Sequence, residues 1–217
     1  MENPALELIP ARAVFILALL AQVLAGASAA AAITAFTADK VVLDDNGRVL
    51  QTEKITMAGE KIRAESATGD MVMIFRHDLG LLWALAPEKK IYVEIPLDQG
   101  TWDRMTRGAA GGDRVRVLGR EAVQGFSCTR KEVTRTRSVM GRRTTTTRVI
   151  WHSGELPMVL RSRSDREITT ELRDIRPAEP VKKLFELPDG LRKVGNNMGL
   201  FLMYMRGRDT GPPTRIH

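Results

Sequence analysis

Residues 71–96, MVMIFRHDLGLLWALAPEKKIYVEIP, constrain the fold more than any other part of the chain. Three apolar runs, Met71–Phe75, Leu81–Leu85 and Ile91–Ile95, are separated by Arg76-His77-Asp78-Leu79-Gly80 and by Ala86-Pro87-Glu88-Lys89. A buried helix needs roughly 10–12 uninterrupted residues, and a membrane helix about 20. Runs of about five residues between Asp/Gly and Pro breaks are instead the pattern of strands and turns. The stretch therefore predicts a three-stranded antiparallel meander.

The same rhythm continues on both sides. Phe36–Leu43 and Arg48–Met57 flank Asp44-Asp45-Asn46-Gly47, a tight-turn signal. Lys61–Glu65 follows Ala58-Gly59-Glu60. Val115–Leu118 runs into a turn at Gly119, and Thr129–Ser138 faces Thr144–Trp151 across Met140-Gly141-Arg142. Met158–Arg163 and Ile168–Ile175 form a last hairpin. About ten short strands with regular turns predict a mainly β fold, a large antiparallel sheet, sandwich or barrel. An apolar content of 43% is enough to give such a sheet a core.

Two segments depart from the rhythm. Leu97–Arg107 lacks strand alternation, and Trp102, Met105 and Thr106 share one helical face. Asn196–Arg206 concentrates Leu200, Phe201, Leu202, Met203, Tyr204 and Met205, a run too short for periodicity to choose helix or strand. The residues after it read as a disordered tail.

The N-terminus carries a compartment signal. Ala13–Leu24 is an apolar stretch within the roughly 7–15 residues of a signal-peptide core, followed by small residues at Ala27-Ser28-Ala29. The expectation is export with removal of residues 1–29, giving a periplasmic protein that is not an integral membrane protein after cleavage. Cys128 is the only cysteine, so the chain forms no internal disulfide and has no cysteine to carry lipid at the cleavage site. The domains expected are thus 1–29, a β domain over 30–195, and an apolar segment with its tail over 196–217.

Chemistry-bearing motifs are scarce. His77, His152 and His217 stand alone, with no metal-ligand spacing around them. His152-Ser153-Gly154 is not a nucleophile elbow, and the glycines of GAAGGD at 108–113 lack the Lys-Ser/Thr of a phosphate loop. The reading is non-enzymatic, with no metal and no cofactor. The formal charge of +7 favours anionic partners, although solvated basic strands give the same balance. Lys131, Arg135 and Arg137 have even spacing and share a strand face, and Arg142, Arg143 and Arg148 add charge around the turn. These six are the candidate anion-binding residues, since guanidinium forks match phosphate. The competing reading is a charged face that prevents edge-to-edge association. No aromatic residues interleave the basic ones, which argues against nucleic acid.

Several segments resemble a known family: IFRHDLGLLWALAPEKKIYVEIP with Trp83, Pro87, Lys90 and Tyr92, VLGREAVQGFSCTRKEV with Gly119, Glu121, Val123 and Gly125, and the region ending in LFELPDGLRKV with Phe185, Pro188 and Gly190. Over about residues 32–194 the chain resembles an uncharacterised exported bacterial family with the fold of the periplasmic lipoprotein carriers, the LolA-like superfamily. The resemblance implies a strongly curved antiparallel half-barrel with one or two helices on its concave face. In the carriers that concavity holds acyl chains. It implies no catalytic residue. On this reading Trp83, Tyr92, Trp102, Met105, Phe201 and Met203 are the candidate wall for a lipid, lipidated protein or other hydrophobic ligand. The alternative is a structural or regulatory envelope protein that binds another protein or an anionic envelope polymer.

Overall fold

The computed structural model describes residues 32–139 and 141–206; the expected signal segment and the residues after 206 lie outside them. The first six strands are β1 (Ala35–Leu43), β2 (Val49–Ala58), β3 (Lys61–Ser66), β4 (Val72–Arg76), β5 (Leu81–Ala86) and β6 (Ile91–Pro96). They pair in sequence order, each antiparallel to the next, as their turns dictate. Helix α1 (Gln99–Thr106) then carries the chain to β7 (Arg114–Val123), β8 (Phe126–Val139), β9 (Arg142–Ser153), β10 (Val159–Ser164) and β11 (Thr169–Pro177). The two runs join where β11 pairs with β1. Strand β12 (Arg192–Gly195) adds to β6 in parallel, and helix α2 (Met198–Met205) follows. The result is one twelve-stranded sheet in the order β12-β6-β5-β4-β3-β2-β1-β11-β10-β9-β8-β7.

The sheet is curved. Met57 on β2 and Lys131 on β8 line one cavity, although five strand steps separate β2 from β8. A flat sheet would hold those strands about 24 Å apart at about 4.8 Å per step. Register then sorts side chains into an inner and an outer face. Phe36, Met57, Ile62 and Phe75 stand in one cross-strand row on the inner face, and Ala38, Ile55, Ala64 and Met73 in the next. Trp102 of α1 packs with them, so α1 lies on the inner face. Phe201 of α2 is fully buried against Ala84, Ala86, Ile91 and Val93, inner-face residues of β5 and β6. The architecture is the curved, mainly antiparallel sheet with helices on its inner face that the resemblance implies.

Strand β5 reads LLWALA without alternation because both of its faces are covered. Its outer residues Trp83 and Leu85 pack under Phe185, which sits in a 3-10 turn at Lys182–Phe185. Arg63 and Arg76 donate to the carbonyls of Leu184 and Phe185, both at 3.1 Å, and tie this strap to the sheet. Arg76 also grips Asp78 with two hydrogen bonds of 2.8 Å and lies 6.0 Å from the Trp83 ring.

Two expectations about local structure change. Gly119 is not a turn: it lies inside β7 at a register shift, with φ +142°, a bulge conformation open to glycine. The turn comes later, at Gln124-Gly125, where both residues have positive φ and join β7 to β8. The 196–206 segment resolves as a helix. Asn197 accepts from the Leu200 N–H at 2.8 Å, and Lys89 from the β5–β6 turn donates to the carbonyls of Tyr204 and Met205. A helix of eight residues is marginal alone, so these two caps and Phe201 hold it.

Candidate functional site

Helix α1 organises the inner face. Asp98 accepts from the Thr101 N–H at 2.7 Å, a capping bond of about 1 kcal/mol, and the Leu97 N–H donates to Gly80. His77 stacks on Trp102 with centroids 4.7 Å apart, and its ring nitrogens meet Glu60 and Gln99. At the other end Arg148 of β9 donates to the Gly108 carbonyl at 2.7 Å. Gly108 has φ +79°, and a Cβ there would collide with the side chains of Ile150 and Val159. Glycine is therefore what lets the end of α1 settle onto β9.

Cavities flank α1. One of about 460 Å³ is lined by Ile33, Met57, Trp102, Leu156 and Pro157, with Arg107, Lys131 and His152 as its basic members and Glu60 and Glu155 at its acidic side. Another, of about 200 Å³, has an apolar wall of Met105, Ile150, Met158, Leu160 and Leu172, basic groups Lys40, Arg104 and Arg148, and one acidic residue, Glu171. A third, of about 230 Å³, shares Arg104 and Arg148 with the second and adds Arg135, Val133, Thr146, Ser164, Asp113 and Asp165.

The candidate residues divide on this geometry. Trp102 and Met105 line cavities beside α1. Trp83 and Tyr92 do not: strand parity puts them on the outer face, where they pack in the Phe185 cluster, and Trp83 donates to Glu94. Phe201 is sealed between α2 and the inner face of β5 and β6, and Met203 is 42% exposed; neither lines these three cavities. Of the basic residues, Lys131, Arg135 and Arg148 reach the cavities. Arg137 shares their face by register but lies further along β8 and is exposed, and Arg142 and Arg143 sit exposed at the tip of the β8–β9 hairpin. Sequence reasoning missed Arg104 and Lys40. Their signal would have been an i, i+1 placement beside Met105 and a basic residue among apolar neighbours in β1.

Electrostatics on the inner face is only partly compensated. Burial, then the charges of Lys131 and Arg107, push the His152 imidazole below its ordinary value. Burial lowers Arg148 as well, with Asp113 opposing and Arg104 adding to the shift. Arg135 is lowered by burial and by Arg104, Arg137 and Arg148, against Asp113. Among the described residues, Lys131, Arg135 and Arg148 form no ion pair, and Arg104 has only Asp98 at 3.9 Å. Lys40 differs, held by Glu53 at 2.7 Å. No three His, Cys, Asp or Glu side chains among the described residues converge as a metal site. Cys128 is buried on β8, and burial raises its thiol pKa.

No curated protein matches the sequence. Among solved structures, the chain is similar to PNGF-II in two crystal forms. The P21 form gives TM-score 0.55 at 10% identity, covering 81% of this chain and 34% of that one. The C2 form gives 0.54 at 10%, covering 80% and 33%. The chain thus spans about a third of the PNGF-II chains it matches, and the likeness is one of fold. A weaker likeness, TM-score 0.45 at 13% identity over 74% of this chain and 58% of that one, is to the MucA/MucB complex of Pseudomonas aeruginosa. Residues 42–150, from the end of β1 into β9, match the family model described as Domain of unknown function (DUF4412), and the chain belongs to that family.

Proposed function

We propose that this protein is an exported, non-enzymatic binding module for a hydrophobic ligand, seated between α1 and the inner face of the sheet. The observation that carries this reading is the pair of partly apolar cavities on either side of α1, walled by Met105, Ile150, Leu160 and Leu172 on one side and by Met57, Trp102 and Leu156 on the other. Binding sites of this kind are concave, mostly apolar, and carry a few polar groups that orient the ligand. Export rests on the apolar stretch Ala13–Leu24 with Ala27-Ser28-Ala29 behind it. No helix among the described residues is long and apolar enough to cross a membrane. The test is native mass spectrometry of the full chain purified gently from a bacterial envelope, with N-terminal sequencing of the same sample. A co-purifying amphiphile and an N-terminus between Ala30 and Ile33 are expected. Ligand-free protein that also fails to take up a fluorescent fatty acid would remove the reading.

A second reading has its own observation. Strand β7 is an edge strand of ten residues, exposed over most of its length, with Val117 64% exposed. Unpaired edges accept strands from other chains. Arg114, Arg116 and Arg120 along β7 favour an acidic partner strand, an envelope protein in place of a lipid. Cross-linking from a probe placed at Val117 separates this reading from the first.

A further inference from the structure

The cavities of about 200 Å³ and 230 Å³ meet at Arg104 and Arg148. One is apolar on the side of Met105, Ile150, Leu160 and Leu172, and the other gathers three guanidinium groups from three elements: Arg104 from α1, Arg135 from β8 and Arg148 from β9. Neither Asp113 nor Asp165, the carboxylates that line the second cavity, forms an ion pair with any of them. Asp113 is engaged by the Ala110 N–H at 3.0 Å within its own loop. Like charges gathered on a half-buried wall raise the free energy of the empty protein, and a fold retains such an arrangement where an anion completes it. Some outer-face arginines of the same sheet are paired, Arg161 with Glu171 at 2.7 Å and Arg116 with Glu132 at 3.1 Å, whereas Arg114 and Arg143 on that face are exposed and form no ion pair among the described residues. The inner cluster differs from those exposed arginines in that its three guanidinium groups share one cavity wall.

We propose that Arg104, Arg135 and Arg148 form a phosphate-headgroup subsite for a single-chain amphiphile whose tail lies against Met105, Ile150, Leu160 and Leu172. A phosphate monoester fits better than a carboxylate. Three terminal oxygens can each be met by a guanidinium from a different direction, whereas a carboxylate is satisfied by one fork. The hydroxyls of Thr146 and Ser164 stand on the same wall and add donors. The small apolar cavity restricts the ligand to one chain. This inference rests on the hydrophobic-ligand reading and names the polar end of that ligand.

The test is titration calorimetry of the full-length protein with decyl phosphate, decanol and inorganic phosphate. Decyl phosphate is expected to bind tighter than either of the others. Arg135→Gln, and the double variant Arg104→Gln/Arg135→Gln, are expected to lower decyl phosphate affinity by about tenfold or more while leaving decanol unchanged. Arg135→Lys keeps the charge without the fork and is expected to fall between. Melting curves confirm that each variant is folded, and the single variant decides the matter if the double one is not. Equal binding of decyl phosphate and decanol, both indifferent to Arg135, overturns the headgroup subsite and leaves the hydrophobic-ligand reading standing. Inorganic phosphate binding as tightly as decyl phosphate overturns the coupling of headgroup and tail. Failure of all three probes to bind overturns both readings.

Discussion

The two faces of the β8–β11 sheet both carry arginines and partner them differently. On the outer face Arg161 pairs with Glu171 and lies 5.6 Å from the Trp151 ring, Arg173 shares Glu171, Arg130 pairs with Glu121, and the Trp151 N–H donates to Glu121 at 2.9 Å. Gln124 completes Glu171 at 2.6 Å. On the inner face Arg104, Arg135 and Arg148 converge on a wall shared with Asp113 and Asp165, and neither carboxylate forms an ion pair with them. The outer network is a finished structural element, since both carboxylate oxygens of Glu171 have donors. The inner one gathers like charges on one cavity wall, and the proposed headgroup subsite rests on that difference.

The comparison can be broken at the point where α1 is fastened to the inner face. Gly108→Ala places a Cβ in the space of Ile150 and Val159 at a positive φ. It should destabilise the fold by about 3 kcal/mol, combining backbone strain and overpacking, as read from urea unfolding. It should also lower ligand uptake by lifting Arg104 from the cavities. A smaller effect is expected from opening the outer network. Arg161→Ala leaves the buried Glu171 with fewer donors and should cost about 2 kcal/mol without changing ligand binding. A loss of binding in that variant would erase the functional distinction between the faces.

Acid titration sharpens the contrast further. His152, in the inner cavity beside Lys131 and Arg107, has its folded pKa lowered below 6.5, chiefly by burial. Its contribution is complete above 6.5 and is lost as the pH falls toward the folded value, because the unfolded chain takes up the proton first. For Glu171, burial acts upward, but the Arg161 and Gln124 hydrogen bonds and the Arg161 and Arg173 charges outweigh it and leave the pKa lowered. Its contribution is present above 4.5 and lost as the pH falls through the folded value. Stability should therefore decline in two separate pH ranges, and His152→Gln should remove the upper one alone. The smallest effect, with the opposite sign, belongs to Arg135→Gln. Removing one of the crowded guanidinium groups should leave the empty protein unchanged or up to about 1 kcal/mol more stable in thermal unfolding. A clear destabilisation would show that Arg135 has a structural partner after all.

Much of the fold was legible because strand and turn signals are local. The meander of β4, β5 and β6 follows from the Asp-Gly and Pro breaks, and the helical face of Trp102 and Met105 from their spacing. The site was legible only in part. Trp83 and Met105 are both large apolar residues in apolar company, yet one lies beneath Phe185 on the outer face and the other against a cavity. Parity along a strand says which residues share a face and is silent on which face turns inward. Helix α2 was undecidable for a related reason: its C-terminal cap is Lys89, more than a hundred positions away.

What the sequence determined by itself is most of the strands β1 to β11, their order of pairing within each meander, the helical nature of the α1 segment, and the sharing of one face by Lys131, Arg135 and Arg137. Each depends on neighbours within a few residues along the chain. The tertiary structure decided the pairing of β1 with β11, the direction in which the sheet curves, and hence which arginines meet carboxylates and which meet one another. Arg130 and Arg135 lie five positions apart on one strand. An odd spacing sends them to opposite faces, and only the folded sheet places Glu121 beside the first and Arg104 and Arg148 beside the second. A guanidinium group has the same charge in both settings; its role depends on partners that chain folding alone brings within reach.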